Sequence, residues 1–143
     1  MAERAVGRDF TWPVRIYWED TDAGGVVYHA RYLAFMERAR SEWLRAQDVH
    51  QTVLRDEDDL IFAVRAMELA FRAPAWLDDQ LQVSVRLLES RGASFVVAQR
   101  IEREGALLVE AKVGIAALRA SDFRPRAIPA PLSAILKTLL ETQ

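Results

Sequence analysis

Residues 14–45 have the sequence VRIYWEDTDAGGVVYHARYLAFMERARSEWLR, in which an alternating pattern gives way to a helical one. The alternation predicts a strand over Phe10–Trp18 with one apolar face, formed by Val14, Ile16 and Trp18. The acidic, glycine-containing segment Glu19–Gly25 then predicts a turn. A carboxylate at a strand end, followed by the N–H groups that open a helix, places a base or nucleophile beside an anion site. The stretch therefore points to hydrolysis, provided that the fold brings these groups together.

A long helix is predicted from about Val27 to Arg45, because apolar residues recur there at i, i+3 and i+4 spacing. Two neighbouring sets fit its buried face: Ala30, Leu33, Ala34, Glu37, Trp43 and Leu44, or Tyr32, Phe35, Met36 and Ala39. The charged residues are expected on the remaining face: Arg31, Arg38, Arg40, Glu42 and Arg45. Because apolar residues cover so much of its circumference, we expect this helix to be wrapped by the rest of the chain.

Four more strands are predicted in segments rich in Val, Ile, Leu and Phe: Leu60–Phe71, Gln80–Glu89, Ala93–Arg103 and Leu107–Arg119. Short turns separate them, which favours antiparallel hairpins. A polar connector with a short helical turn is expected over Gln47–Asp59, and a short terminal helix over Leu132–Leu140.

Residues 1–143 are predicted to form one α+β domain, with a polar leader at 1–9 and a C-terminal tail at 120–143. A hydrophobic content of 51% is enough for one core. The most economical packing is one curved antiparallel sheet folded around the long helix. Because such a sheet covers only one side of the helix, a homo-oligomer, either a dimer or a tetramer, is expected to cover the rest.

Composition excludes several classes of protein. Lys and Arg number 19 against 21 Asp and Glu, for a net charge of −2, which argues against nucleic-acid binding. The absence of cysteine excludes disulfides, thiolate metal sites and a cysteine nucleophile. No segment has the roughly 20 apolar residues of a membrane-spanning helix, and the N-terminus lacks the apolar core of a signal peptide. A cytoplasmic protein with no integral membrane segment is expected.

The turn and the helix start resemble a known signature. The signature consists of Arg15-Ile16, Thr21-Asp22, Gly25-Val26-Val27-Tyr28-His29 and Tyr32. In residue type and spacing it resembles the signature of the 4-hydroxybenzoyl-CoA thioesterase family, which has the hotdog fold. The string YWEDTDAGGVVYHARYLAFMERAR, with FTWPVR before it and RPRAIP near the end, most resembles the Tol-Pal-associated acyl-CoA thioesterase branch. The resemblance covers about Phe10 to Ile128 and implies a setting near the cell-envelope machinery, in lipid metabolism.

The resemblance implies hydrolysis of an acyl-CoA thioester, with Asp22 as the catalytic carboxylate and the backbone N–H of His29 as the oxyanion donor. Direct attack by Asp22 and activation of a water by Asp22 both stay open. Substrate contacts are predicted for Gly25, Val26, Tyr28 and Arg91. Of these, Arg91 corresponds to the basic triplet that meets the CoA phosphates in aryl-CoA members of the family, but here it is followed by Gly92 and Ala93. Neither a metal nor a cofactor is implied.

Plainer roles are expected for the other charged residues. Glu19 and Asp20 are expected to be solvated at the strand end. Glu37 is expected to pair with Arg40 or to form a buried hydrogen bond, and it is the backup carboxylate. The acidic run Asp56–Asp59 is expected to be a solvated loop.

Two other functions remain open at this point. One is a non-catalytic module that binds acyl-CoA or an acyl carrier protein, and the other is a dehydratase on the same fold. Whichever function applies, the thioesterase included, an acyl carrier protein is a possible partner, because its acidic surface could meet an arginine cluster such as Arg38, Arg40 and Arg45.

Overall fold

The structure, a computed structural model, describes residues 9–143, so most of the predicted polar leader lies outside the described residues. Five strands form one sheet: β1 (Phe10–Arg15), β2 (Leu60–Phe71), β3 (Gln80–Arg91), β4 (Ser94–Arg103) and β5 (Ala106–Arg119). Three α-helices accompany it: α1 (Arg31–Ala46), α2 (Gln51–Asp58) and α3 (Ala130–Thr142). No helix in the described part of the chain is both long enough and apolar enough to cross a membrane.

The sheet is antiparallel throughout, with the strand order β1-β3-β4-β5-β2. Two of the predicted hairpins, β3–β4 and β4–β5, are present. In the second, Glu104 and Gly105 both have positive φ, as a two-residue hairpin turn with matching twist requires. The α+β prediction is therefore confirmed.

The prediction of a hairpin between β2 and β3 is wrong. Strand β3 already has β1 on one side and β4 on the other, so β2 pairs with β5 instead. The intervening segment, residues 72–79, crosses from the edge strand β2 past β5 and β4 to the interior strand β3. On its way it bonds to the turn before α1, where the Val27 N–H donates to the Ala75 carbonyl at 2.9 Å.

Helix α1 packs on the inner face of the sheet through the whole of the second predicted apolar set and through Trp43 and Leu44 of the first. Its buried residues are Tyr32, Phe35, Met36, Ala39, Arg40, Trp43 and Leu44. Leu33, from the first set, keeps 38% of its surface exposed, so the chain wraps only part of the helix. The expected wrapping is incomplete because one five-stranded sheet covers one side of one helix.

Several boundaries differ from the predictions. Strand β1 ends at Arg15, and Trp18 lies in a short 3₁₀ turn with 77% of its surface exposed, so it does not share the buried face with Ile16. Helix α1 begins at Arg31 rather than near Val27. The acidic run is not a loop, since Asp56–Asp58 complete α2, and Asp59 ends that helix with a positive φ. The predicted terminal helix is present as α3, with Pro131 in its first turn, where a missing N–H costs little.

Candidate active site

The turn before α1 is a small hairpin. Thr21 and Val27 form a bridge, and the Asp22 N–H donates to the Val26 carbonyl at 2.9 Å. The Gly25 N–H donates back to the Asp22 carbonyl at 3.0 Å, and Gly25 has φ +86. This is the bonding pattern of a three-residue hairpin loop that ends on a left-handed residue, which explains the glycine. The sequence therefore folds locally so that Asp22 stands at the base of a tight, exposed loop.

The two carboxylate oxygens of Asp22 differ in their surroundings. Oδ1 accepts a hydrogen bond from the Gly24 N–H at 2.8 Å, as in an Asx-turn. Oδ2 accepts no hydrogen bond from the described part of the chain. One oxygen thus fixes the orientation of the carboxylate while the other remains available. Asp22 is a turn residue, and its geometry is also that of an oriented base or nucleophile.

His29 lies two residues before the first residue of α1. Its backbone N–H donates to no backbone carbonyl within residues 9–143, and Ala30 makes no side-chain cap. The start of a helix carries unpaired N–H groups and a positive partial charge, so an anion is favoured there. The exposed imidazole of His29 lies against two aromatic rings. Its centroid is 4.6 Å from that of Tyr28, with the rings tilted, and 6.4 Å from that of Phe71, in an edge-on arrangement.

Asp20 ties this loop to the helix, and the expectation that it is a solvated charge is wrong. It is 4% exposed, and its Oδ1 accepts hydrogen bonds from Arg31 Nη2 at 2.7 Å and from Nε at 3.0 Å. Its Oδ2 accepts from the Tyr17 N–H at 2.9 Å, and its carbonyl accepts from the Tyr28 N–H at 2.9 Å. Asp20 therefore joins the end of β1, the loop and the helix start. Sequence reasoning missed this role, although an acid and an arginine flanking one loop are a usable signal.

The floor of the loop is formed by the crossover between β2 and β3. Val26 bridges to Trp76, and the Ala75 N–H donates to the Tyr32 hydroxyl at 3.0 Å. Burial raises the pKa of Tyr32, so its phenol stays neutral and acts as a fixed acceptor. Trp76 is half-exposed, and so is Tyr28, so neither is a core residue. The loop is thus bonded to the crossover, while the aromatic side chains beside it, Tyr28 and Trp76, remain partly exposed to solvent.

Of the predicted substrate contacts, Gly25, Val26 and Tyr28 lie on or beside the loop with Asp22. Arg91 does not, because it ends β3, whose first residue lies next to the crossover. Eleven residue steps of extended strand separate Gln80 from Arg91, which is about 35 Å. The Arg91 side chain is 70% exposed and pairs with Glu89 at 3.2 Å. Within one chain, Arg91 is at the far end of the sheet from Asp22.

The arginine cluster predicted as a docking surface is not formed as expected. Arg40 is 8% exposed and donates to Gln99 Oε1 at 3.0 Å, whereas Arg38 and Arg45 are exposed. The expected ion pair between Glu37 and Arg40 is also absent, and Glu37 accepts from the Ser41 hydroxyl instead. The helical spacing places Arg40 beside Met36 and Trp43, on the buried face. Within residues 9–143, no three acidic or histidine side chains are grouped as a metal site.

Comparisons with known proteins identify the family of this chain. Residues 16–136 match the model of the thioesterase-like superfamily. The chain is 47% identical to the acyl-CoA thioester hydrolase YbgC of Escherichia coli O6:H1, over 90% of this chain and 96% of that protein. It is 43% identical to the acyl-CoA thioesterase YbgC of Haemophilus influenzae, over 87% of this chain and 92% of that protein. A crystal structure of a probable thioesterase from Bartonella henselae superposes with a TM-score of 0.80 at 42% identity, covering 83% of this chain and 98% of that one. The family and fold predictions are thus confirmed, and the chain belongs to the thioesterase-like superfamily with the hotdog fold.

Proposed function

We propose that this enzyme hydrolyses the thioester bond of an acyl-CoA, releasing a carboxylic acid and CoA. The observation that carries the proposal is the Asp22 carboxylate, which is fixed through Oδ1 on the loop that leads to the His29 N–H; within residues 9–143 neither Oδ2 nor that N–H has a hydrogen-bond partner. The names of the YbgC relatives supply the substrate class. A pure binding module needs no oriented free carboxylate oxygen, so nothing in the loop favours that alternative.

In the proposed reaction Asp22 acts on the thioester carbonyl carbon, either directly or through a water. In the water route, Oδ2 takes a proton as the water oxygen bonds to the carbonyl carbon and the C=O electron pair moves onto oxygen. The His29 N–H donates to that oxyanion, and losing one such donor typically costs about 10²–10³ in rate. Collapse of the tetrahedral species breaks the C–S bond, and the thiolate leaves with the electron pair and is protonated by solvent.

The proposal includes a second copy of the chain. Strand β2 is an edge strand of 12 residues whose outer side has no partner within residues 9–143, and Val64 and Phe71 on it are about half exposed. Long unpaired edges of this kind pair with other chains. A two-fold pairing of β2 with β2 of a partner would join two sheets and add cover to α1. A second copy could also bring an Arg91 toward a site that this chain's own Arg91 cannot reach.

The cytoplasmic location, the cell-envelope setting and the acyl carrier protein remain predictions. With Arg40 buried, a basic docking surface would have to use Arg38 and Arg45, and the latter already pairs with Glu42 at 2.7 Å.

The function is tested by following free-thiol release with a chromogenic disulfide reagent across acyl-CoAs from acetyl to palmitoyl, with benzoyl types included. The protein has no cysteine, so the background is low. Release that depends on enzyme concentration with at least one substrate is expected. Tight binding of an acyl-CoA without release from any member of the series would refute hydrolysis and support the binding module.

A further inference from the structure

The crossover between β2 and β3 is joined to the Asp22 loop by backbone contacts. The Val27 N–H donates to the Ala75 carbonyl at 2.9 Å. Val26 forms a bridge with Trp76, and the Val26 carbonyl also accepts from the Asp22 N–H at 2.9 Å. The position of the Asp22 loop therefore depends on where residues 75 and 76 of the crossover lie.

An ion pair outside the loop fixes this part of the crossover. Arg103 Nη1 donates to Asp79 Oδ2 at 2.7 Å and to the Pro74 carbonyl at 3.3 Å. The same Asp79 oxygen accepts from the Trp76 N–H at 2.8 Å. Both ends of the segment 74–79 are thus bonded to one guanidinium, and residues 75 and 76 lie between them.

The backbone that carries Arg103 belongs to the interior of the sheet. Arg103 is the last residue of β4 and pairs with Ala106 of β5, across the tight turn formed by Glu104 and Gly105. The side chain of Arg103 is 28% exposed and that of Asp79 is 21% exposed, so water and salt screen their attraction less than they would at the open surface. The ion pair therefore fixes the crossover relative to an interior hairpin.

A second contact holds the same segment from the side of α1. The Tyr32 hydroxyl, on a residue that is 3% exposed, accepts from the Ala75 N–H at 3.0 Å. A buried N–H that loses its acceptor is costly, so this bond keeps Ala75 against the helix. Ala75 is therefore held by Tyr32 and, through its two neighbours in sequence, by Arg103.

We propose that Arg103 is a positioning residue for hydrolysis, because through the crossover it holds the loop between Asp22 and the His29 N–H. Within residues 9–143 it donates to neither of these two groups. A misplacement of reacting groups by about 1 Å can cost about 10² in rate, even when the altered residue lies far from the chemistry. The inference rests on the proposed function for its effect on rate, whereas the placement of the loop is measurable without turnover.

The effect on rate is tested by thiol release with Arg103→Met, which removes the guanidinium and keeps an apolar stem. Where circular dichroism shows the variant to be folded, kcat should fall at least about tenfold while KM stays within about threefold, because the catalytic groups move but the substrate contacts remain. Arg103→Lys can still donate to Asp79, so kcat should return to within about threefold of the wild type.

Arg86→Met is the matched control for this measurement. The Arg86 side chain is 33% exposed and donates to the buried Asp9 at 2.9 Å, and neither residue belongs to the crossover or to the Asp22 loop. Removing its guanidinium should therefore leave kcat within about threefold of the wild type.

The placement of the loop is tested by amide hydrogen exchange, followed by nuclear magnetic resonance without substrate. The N–H groups of Asp22 and Val27 should exchange at least about tenfold faster in Arg103→Met than in the wild type, because the loop opens more often once the crossover is released. Both should exchange at the wild-type rate in Arg86→Met.

Asp79→Asn decides the matter if Arg103→Met does not fold. It retains an oxygen for the Trp76 N–H but loses the charge, so exchange at Val27 should again be faster and kcat lower. If the wild type releases no thiol, hydrolysis is refuted, while faster exchange would still establish that Arg103 holds the loop. Unchanged exchange in the folded variants, or wild-type kcat in a folded Arg103→Met, would overturn the inference.

Discussion

At the scale of single residues, Asp22 combines a structural and a chemical role through its two oxygens. Oδ1 closes the turn on the Gly24 N–H, and this bond fixes the direction of the free Oδ2. A Cβ built on Gly24 would lie 3.2 Å from Oδ1, so the neighbouring glycine also leaves room for the carboxylate. The orientation of Asp22 therefore depends on the backbone of the loop as much as on its own side chain.

Gly25→Ala should lower the free energy of unfolding by about 1–2 kcal/mol, because a residue with a Cβ is strained at φ +86. Urea unfolding measures this change, and thiol release should fall with it, since Asp22 stands in the same loop. Gly92→Ala is the matched control. Gly92 also has open space around its Cβ position but no positive φ, so the change should stay within about 1 kcal/mol. Equal losses in both variants would contradict the argument from φ.

At the scale of elements, the sequence predicted the strand, the turn and the helix around Asp22 better than it predicted the contacts that hold them together. The strand, the turn and the helix follow from local periodicity, and the resemblance pointed to Asp22 and His29. The contacts that hold the loop are not local. Asp20 reaches Arg31 across the loop, and the Tyr32 hydroxyl accepts from Ala75, 43 residues away. The charge of Asp20 suggested that its side chain is exposed to solvent. Its ion-pair partner, Arg31, lies eleven residues further along the chain, beyond the range of strand or helix periodicity.

Asp20→Ala should therefore destabilise the loop more than its position in a polar turn suggests. It leaves the Arg31 guanidinium and the Tyr17 N–H without their acceptor, and the expected cost is about 2–3 kcal/mol, because Arg31 is only partly buried. Denaturant unfolding and the rate of thiol release would both record the loss. Glu19→Gln serves as the control, since Glu19 meets Arg31 only at 3.4 Å and is 75% exposed. A variant of Asp20 as stable as the control would refute the role of this contact.

At the scale of the whole molecule, the strand order shows how much sequence reasoning left out. The hydrophobic pattern gave no reason to separate β2 from β3, because each strand fits a hairpin equally well. Pairing partners depend on which edges are already occupied, and that is a property of the assembled sheet. The result puts β2 on an edge and leaves part of α1 uncovered, and both features support a second copy.

Val64→Lys should convert the protein to a monomer, because a lysine on an edge strand opposes pairing between sheets. The wild type should show at least twice the 16.3 kDa of one chain in size-exclusion chromatography with light scattering. Leu88→Lys is the matched control, because Leu88 is exposed to 43% against 47% for Val64 but lies on the interior strand β3. It should remain at least dimeric. A monomeric wild type would contradict the proposed assembly.

The most direct test of the proposed chemistry is the rate of thiol release by Asp22→Asn on the best acyl-CoA substrate, with folding checked by circular dichroism. The amide retains an oxygen that can accept from the Gly24 N–H, so the loop should survive. It cannot act as a base or a nucleophile, so the rate should fall at least about 10³-fold. Glu19→Gln, which removes a charge three residues away, should stay within about threefold of the wild type. Wild-type turnover by a folded Asp22→Asn variant would show that this carboxylate is not the catalytic group.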